Sequence, residues 1–208
     1  MPLDEILIVR ENIDRYKAYR KNKKGLERVC RGVYKREDVD RDVFFTRYGL
    51  RIANHLFPSA SLSYATAWLR KPAMGRVFVS GQYQYQRQLF DGSDRFVIVQ
   101  SIGILAPGNP RLHTLEKFVD PFGSFEMLCD TPELTLLNMM TPTKRHVEKH
   151  LKTEDQDALI AALLSKHKSK GNIATALEEI AGEADRINEF RRVVNMLYAP
   201  PKAVSQNA

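Results

Sequence analysis

An α+β fold is what this sequence predicts: an N-terminal helix and a basic strand, an antiparallel β-rich middle, and a helical C-terminal part. Three observations lead there. Apolar residues near the start recur at helical spacing. Between Arg76 and Cys129 the chain is dense in Val, Ile, Phe and Tyr and is cut by Gly, Pro, Asn and Asp. From Asp130 onward the apolar spacing returns to three and four.

Leu3, Ile6, Leu7, Ile13, Tyr16 and Tyr19 predict a helix over 3–22. Asp4 and Glu5 stand in its first turn and Lys and Arg in its last, as the helix dipole prefers. Asn12 or Asp14 would divide it into two. Asn22–Gly25 reads as a turn. Leu26–Arg36 has strand character, with Val29, Arg31 and Val33 on one face and Arg28, Cys30 and Gly32 on the other. An acidic turn follows at Glu37–Asp40. A helix over about 42–56 is capped by Asp40 or Asp42 and ended by Pro58. A short amphipathic helix over about 61–69 has Ser59 or Ser61 as its cap.

Strands are expected over 76–80, 83–90, 95–105, 112–119 and 125–129. Asp91-Gly92-Ser93 is a hairpin signal, Pro107-Gly108-Asn109-Pro110 a strong turn, and Asp120-Pro121-Phe122-Gly123 joins the last two strands. Asp130 or Thr131 then caps a helix with Pro132 at its first position and Leu134, Leu136, Leu137 and Met140 on its apolar face. Helices over 144–151, 154–167 and 172–197 complete the chain. The domain reading is a basic N-terminal domain over 1–72, a β-rich middle with C-terminal helices over 73–199, and a tail or linker over 200–208.

The chain has 208 residues, enough for one large domain or two small ones. With 43% hydrophobic and 27% charged residues it has the makings of a core, which excludes wholesale disorder. No apolar run approaches the roughly 20 residues that span a bilayer. Acids precede the short apolar run at the N-terminus, which is wrong for a secretory signal. Cys30 and Cys129 form no Cys-x-x-Cys motif and suit a reducing compartment. A soluble, cytoplasmic protein with no membrane partner is expected.

Charge is concentrated. Arg15–Arg36 holds ten basic residues against one acid, Glu27, a net of +9 where the whole chain has +7, so the remainder sums to −2. A field confined to one segment is the footprint of a polyanion-binding surface; the alternative is a solvated, lysine-rich helix end and turn.

Catalytic signals are absent from the sequence. There is no Gly-x-Ser-x-Gly elbow, no phosphate-cradling loop and no dinucleotide fingerprint. His146 and His150 are four apart on an expected helix, but Val147 stands where a zinc-protease helix has Glu, and Glu148 points elsewhere. No metal site, no catalytic residue and no cofactor is therefore expected. Glu178, Glu179, Glu183 and Asp185 read as a solvated acidic face. Tyr83, Tyr85 and Phe90 alternate with Gln82, Gln84, Gln86, Arg87 and Gln88. That pattern fits either base-edge contact or the exposed face of an antiparallel strand.

The run Leu26-Glu27-Arg28-Val29-Cys30-Arg31-Gly32-Val33-Tyr34 resembles the wing strand of AbiEi-type regulators, the antitoxins of type IV toxin–antitoxin and abortive-infection systems. Phe57–Ala67 and Thr131–Leu137 resemble two further segments of that family, in the same order, and the likeness runs over about 25–198. The resemblance implies a bacterial or mobile-element protein of a phage-defence system. Its N-terminal part would bind operator double-stranded DNA, and its C-terminal part would counter a toxin-like partner of nucleotidyltransferase type. Only 25 residues precede the wing strand, room for one long helix or two short ones, so a reduced winged helix is implied. The family's domain also occurs fused ahead of toxin-like modules, which Pro200-Pro201 would suit as a linker.

Phosphate contact is assigned to Arg15, Arg20, Lys21, Lys23, Lys24, Arg28, Arg31, Lys35 and Arg36. The expected function is a non-catalytic, DNA-binding regulator and antitoxin. The alternative is a protein-interaction module that binds a toxin-like partner without reading DNA.

Overall fold

Two β-sheets with one helix between them organise the chain. A computed structural model describes residues 5–11, 14, 17, 25–89, 96–143 and 147–199. Strands β1 (Ile6–Ile8), β2 (Leu26–Cys30) and β3 (Val33–Arg36) form an antiparallel sheet in the order β1-β3-β2. Helix α1 (Arg41–Leu56) follows. The second sheet holds β4 (Ser61–Leu62), β5 (Arg76–Gly81), β6 (Arg87–Leu89), β7 (Val97–Ile102), β8 (His113–Asp120) and β9 (Gly123–Asp130). Their order is β6-β7-β5-β4-β9-β8. Helices α2 (Tyr64–Leu69), α3 (Pro132–Met139), α4 (Thr153–His167), α5 (Lys170–Glu183) and α6 (Ile187–Tyr198) complete the fold, with a 3-10 turn at Val147–Lys149.

Strand alternation splits the apolar residues into two cores. Val77, Val79 and Ile98 face α1, where Phe44, Phe45, Tyr48 and Ile52 fill the space up to Ile6, Ile8 and Val33 of the small sheet. Phe78, Val97 and Val99 face the other way, into a layer built from α2 through α6. Phe45 stacks on Phe96 with ring centroids 4.2 Å apart. Gly49 makes this approach possible, because a Cβ there would lie 2.7 Å from the Phe96 ring.

Local signals decided several elements. Asp40 accepts hydrogen bonds from the Asp42 and Val43 amides at 2.9 and 3.0 Å and starts α1. Thr131 accepts from the Leu134 amide with Pro132 at the first position of α3. The β8–β9 hairpin turns at Asp120–Gly123, as expected.

Other expectations are corrected. Residues 6–8 of the expected N-terminal helix are strand, because Ile6 and Ile8 are needed on the inner face opposite Lys35 and Val33. Asp14 and Lys17 are helical. The expected strand over 26–36 is a hairpin, turned at Arg31-Gly32 with Gly32 at φ +77°. The middle sheet is mixed. β5 runs parallel to β7, and β4 runs parallel to β9. The near-continuous burial of β5 and β7 on both faces is the mark of parallel strands. The expected helix over 61–69 begins only at Tyr64, because Ser61 and Leu62 bridge β5 and β9. A boundary at residue 72 would therefore cut β4 away from its own sheet. Of the expected strand over 83–90, the described residues form strand only at Arg87–Leu89, and Phe90 lies outside them. The turn at 91–93 and the tail at 200–208 lie outside the described residues. The expected helix over 144–151 is one 3-10 turn where it is described. The expected helix over 172–197 is broken at Asp185, φ 52°. As one rod it would run about 39 Å; folded back, Ile180 and Ala184 share a core with Val193 and Leu197.

Arg51 ties the two sheets together. Its guanidinium, 3% exposed, pairs with Asp120 at 2.6 Å and Glu11 at 2.7 Å, and donates to the Gly123 carbonyl at 2.8 Å. It also lies over the rings of Phe122 and Phe125. No helix among the described residues is long and apolar enough to cross a membrane.

Candidate nucleic-acid interface

The β2–β3 hairpin carries the described part of the basic segment apart from Lys17, which pairs with Asp14 at 3.4 Å. Its two faces follow from register. Val33 and Lys35 sit opposite Ile8 and Ile6 and point inward, while Tyr34 sits opposite Leu7 and Arg28 on the other face. A register shift between Arg28 and Cys30 marks a bulge, which twists an edge strand and frees it from regular pairing.

Arg28 and Arg31 are exposed. Arg28 donates only to the Cys30 carbonyl at 3.3 Å, and neither arginine has a carboxylate partner among the described residues. The hairpin turn is held to α1 by His55, whose Nε2 lies 3.3 Å from the Arg31 carbonyl oxygen. Arg36 is half-buried and paired with Asp38, a bond that raises its pKa further. Its amide donates to the Glu5 carbonyl at 3.0 Å.

Lys35 is a correction. Its side chain is 6% exposed, and its ammonium bonds Glu27 at 2.9 Å and the Val39 carbonyl at 3.0 Å. It shares the inward face of Val33 and is not offered to a phosphate. Arg15, Arg20, Lys21, Lys23 and Lys24 lie outside the described residues. Arg41, which the charge count passed over, is exposed at the start of α1 with its guanidinium 5.7 Å from the Phe45 ring centroid.

No protein-family model and no curated protein matches this chain.

The remaining candidates separate in space. Tyr85 is 66% exposed and Tyr83 packs edge-on to Phe57, so these two tyrosines present no common face, and Phe90 lies outside the described residues. His146 lies outside the described residues, and Val147–Lys149 before His150 is a 3-10 turn. Burial and then the Lys149 charge lower the His150 pKa. Glu148 is spent on Arg76 at 2.9 Å. Among the described residues, no cluster of three His, Cys, Asp or Glu is arranged as for a metal ion. Glu179 and Glu183 of the acidic stripe pair with Arg111 at 3.3 and 3.2 Å.

One buried polar cluster was not foreseen. Asp130 accepts from Ser61 Oγ at 2.7 Å and Asn138 Nδ2 at 2.9 Å, with His113 Nδ1 at 3.2 Å. The serine gives its proton to the carboxylate and not to the imidazole, so the Ser–His–Asp order of a catalytic triad is not met. Burial pushes the Cys30 thiol up to about 11 and the Cys129 thiol to about 12, which favours the protonated form of both at neutral pH.

Proposed function

We propose that this chain is a DNA-binding transcriptional regulator of antitoxin type, lying across the DNA backbone with a reduced winged helix. The small sheet is the body of that unit, the β2–β3 hairpin is its wing, and Asp14 and Lys17 belong to its helix. Arg28 and Arg31 contact phosphates, Arg36 sits at the margin, and Arg15, Arg20, Lys21, Lys23 and Lys24 add charge from the preceding segment. Lys35 holds the wing from within.

One observation carries the reading. Two exposed arginines without carboxylate partners among the described residues stand on a hairpin inside a segment of net +9, in a chain whose remainder sums to −2. Phosphate contacts of this kind set register and orientation without reading bases. Fluorescence anisotropy on the DNA upstream of its own gene is the test. Affinity falls steeply between about 50 and 200 mM salt as counterions are released; absence of binding at the lower salt removes the reading. As an antitoxin, the chain co-purifies with a nucleotidyltransferase-like product of the adjacent gene.

A second reading is a non-catalytic module that binds such a partner without DNA. It is favoured by β8, which lies at the edge of its sheet and shows Leu115 and Val119 on one face, 63% and 78% exposed. An exposed edge strand is a surface for strand addition. Loss of co-purification in a Leu115→Lys, Val119→Lys variant, with retention when Arg28 and Arg31 are replaced, favours that module.

A further inference from the structure

A cleft of ≈ 520 Å³ opens at the β6–β7 edge of the large sheet, on its helical side. Arg87 of β6, Lys149 of the 3-10 turn and Arg186 just before α6 line it, and no carboxylate is among the described residues that line it. Three cations therefore converge from three distant parts of the chain.

Their partners are neutral. Lys149 Nζ donates to Ser101 Oγ at 3.1 Å and sits 4.3 Å from the Tyr64 ring centroid. Arg186 Nε donates to Asn138 Oδ1 at 3.2 Å, and its Nη1 to the Asp185 carbonyl at 3.3 Å. Arg87 is exposed. The nearby acids are engaged elsewhere. Glu148 pairs with Arg76, Asp130 accepts from Ser61 and Asn138, and Glu189 accepts from Thr141 and lies 3.9 Å from Arg192. Burial and then Arg186 lower the Lys149 pKa, as expected of two cations held together without a counter-charge.

Two further features of the same cleft ask for a ligand. Gln100 is 1% exposed, and its Nε2 donates to the Ser101 carbonyl at 2.9 Å. Its Oε1 has no hydrogen-bond partner among the described residues, a rare state for a buried acceptor. Tyr64, which lines the cleft, holds φ at 53°, a left-handed backbone that a bulky aromatic adopts only where its surroundings enforce it.

We propose that this cleft binds a small phosphorylated molecule of nucleotide size, its phosphates held by Arg87, Lys149 and Arg186 and one of its hydroxyl or amino groups donating to Gln100 Oε1. Converging cations without a carboxylate select a multiply charged anion, and guanidinium groups suit phosphate. The volume exceeds what a lone phosphate fills and lies in the range of small-molecule pockets. The acceptor left open on Gln100 suits a ligand that carries donors besides its phosphates, as the sugar and base of a nucleotide do. Hairpin and cleft share no residue, so this inference stands apart from the DNA reading.

Isothermal titration calorimetry on the full chain tests it, with ADP, GDP, adenosine and inorganic pyrophosphate as probes. At least one nucleoside diphosphate binds, adenosine does not, and pyrophosphate binds at least about tenfold more weakly. Lys149→Gln and Arg87→Gln each weaken the nucleotide at least about tenfold, while Arg111→Gln, a cation outside the cleft, leaves affinity unchanged. Thermal melts of all three variants establish that they fold. Failure of both nucleotides to bind overturns the proposal. So does equal affinity in the Lys149 and Arg87 variants, or pyrophosphate binding as tightly as the nucleotides.

Discussion

Arg51 is buried and the Lys149–Arg186 pair half-buried, and they are satisfied in opposite ways. Arg51 meets two carboxylates, a carbonyl and two aromatic faces. Lys149 and Arg186 meet a hydroxyl, an amide oxygen, a carbonyl and one ring. A cation closed by carboxylates has its field cancelled and acts as a joint. A pair facing only neutral oxygens keeps its field for an anion that arrives. The hairpin arginines are a third case, uncompensated and open to water.

Breaking the joint has the largest expected effect. Arg51→Ala leaves the Asp120 carboxylate, 6% exposed, without its guanidinium. A loss of about 3–5 kcal/mol in urea denaturation is expected, the cost of stranding one partner of a buried pair. A loss below about 1 kcal/mol, in the range of a surface pair, would show that Arg51 does not tie the sheets together.

Acid sharpens the same contrast from the anion side. Glu133 is buried and accepts from Lys166 and His167, each at 2.7 Å. Burial alone would raise its pKa, but the two bonds outweigh it and hold the carboxyl below its ordinary 4.5. The stabilisation it brings is therefore complete above that ordinary value and is lost as pH falls through the lower, folded one. Melting temperature followed from pH 6 to pH 3 should drop more steeply in the native chain than in Glu133→Gln; parallel curves would contradict this.

The cleft predicts a smaller change of opposite sign. Lys149→Met removes a desolvated, repelled charge, so stability should hold or rise by about 1 kcal/mol while nucleotide affinity falls. A loss of about 2 kcal/mol or more, as when an interior contact is removed, would make Lys149 a structural cation instead. The smallest effect belongs to the hairpin. Arg28→Ala with Arg31→Ala should alter stability by no more than about 0.5 kcal/mol, since neither side chain carries a load in the fold.

What the sequence made legible was what neighbours in the chain decide. Asp40 before α1, Thr131-Pro132 before α3 and Asp120–Gly123 between β8 and β9 are local signals, and each element formed where they stand. Pairing between distant segments was not legible. Ser61 and Leu62 read as the start of a helix, but Leu128 on one side and Ser80 on the other draw them into the sheet. The burial of Lys35 was within reach, since it alternates with Val33, but its charge outweighed its position. The cleft was out of reach: Arg87, Gln100, Lys149 and Arg186 are brought together only by the pairing of β6 with β7 and by the approach of the 3-10 turn and the start of α6.

The proposed contact between the outward arginines of the hairpin and the DNA backbone is tested by the salt dependence of binding in the Arg28→Ala, Arg31→Ala variant. Each phosphate contact contributes about 0.9 to the slope of log affinity against log salt. Removing two should lower that slope by about 1.8 and weaken binding evenly across DNA sequences. An unchanged slope in a folded variant would contradict the account and place any DNA contact elsewhere on the chain.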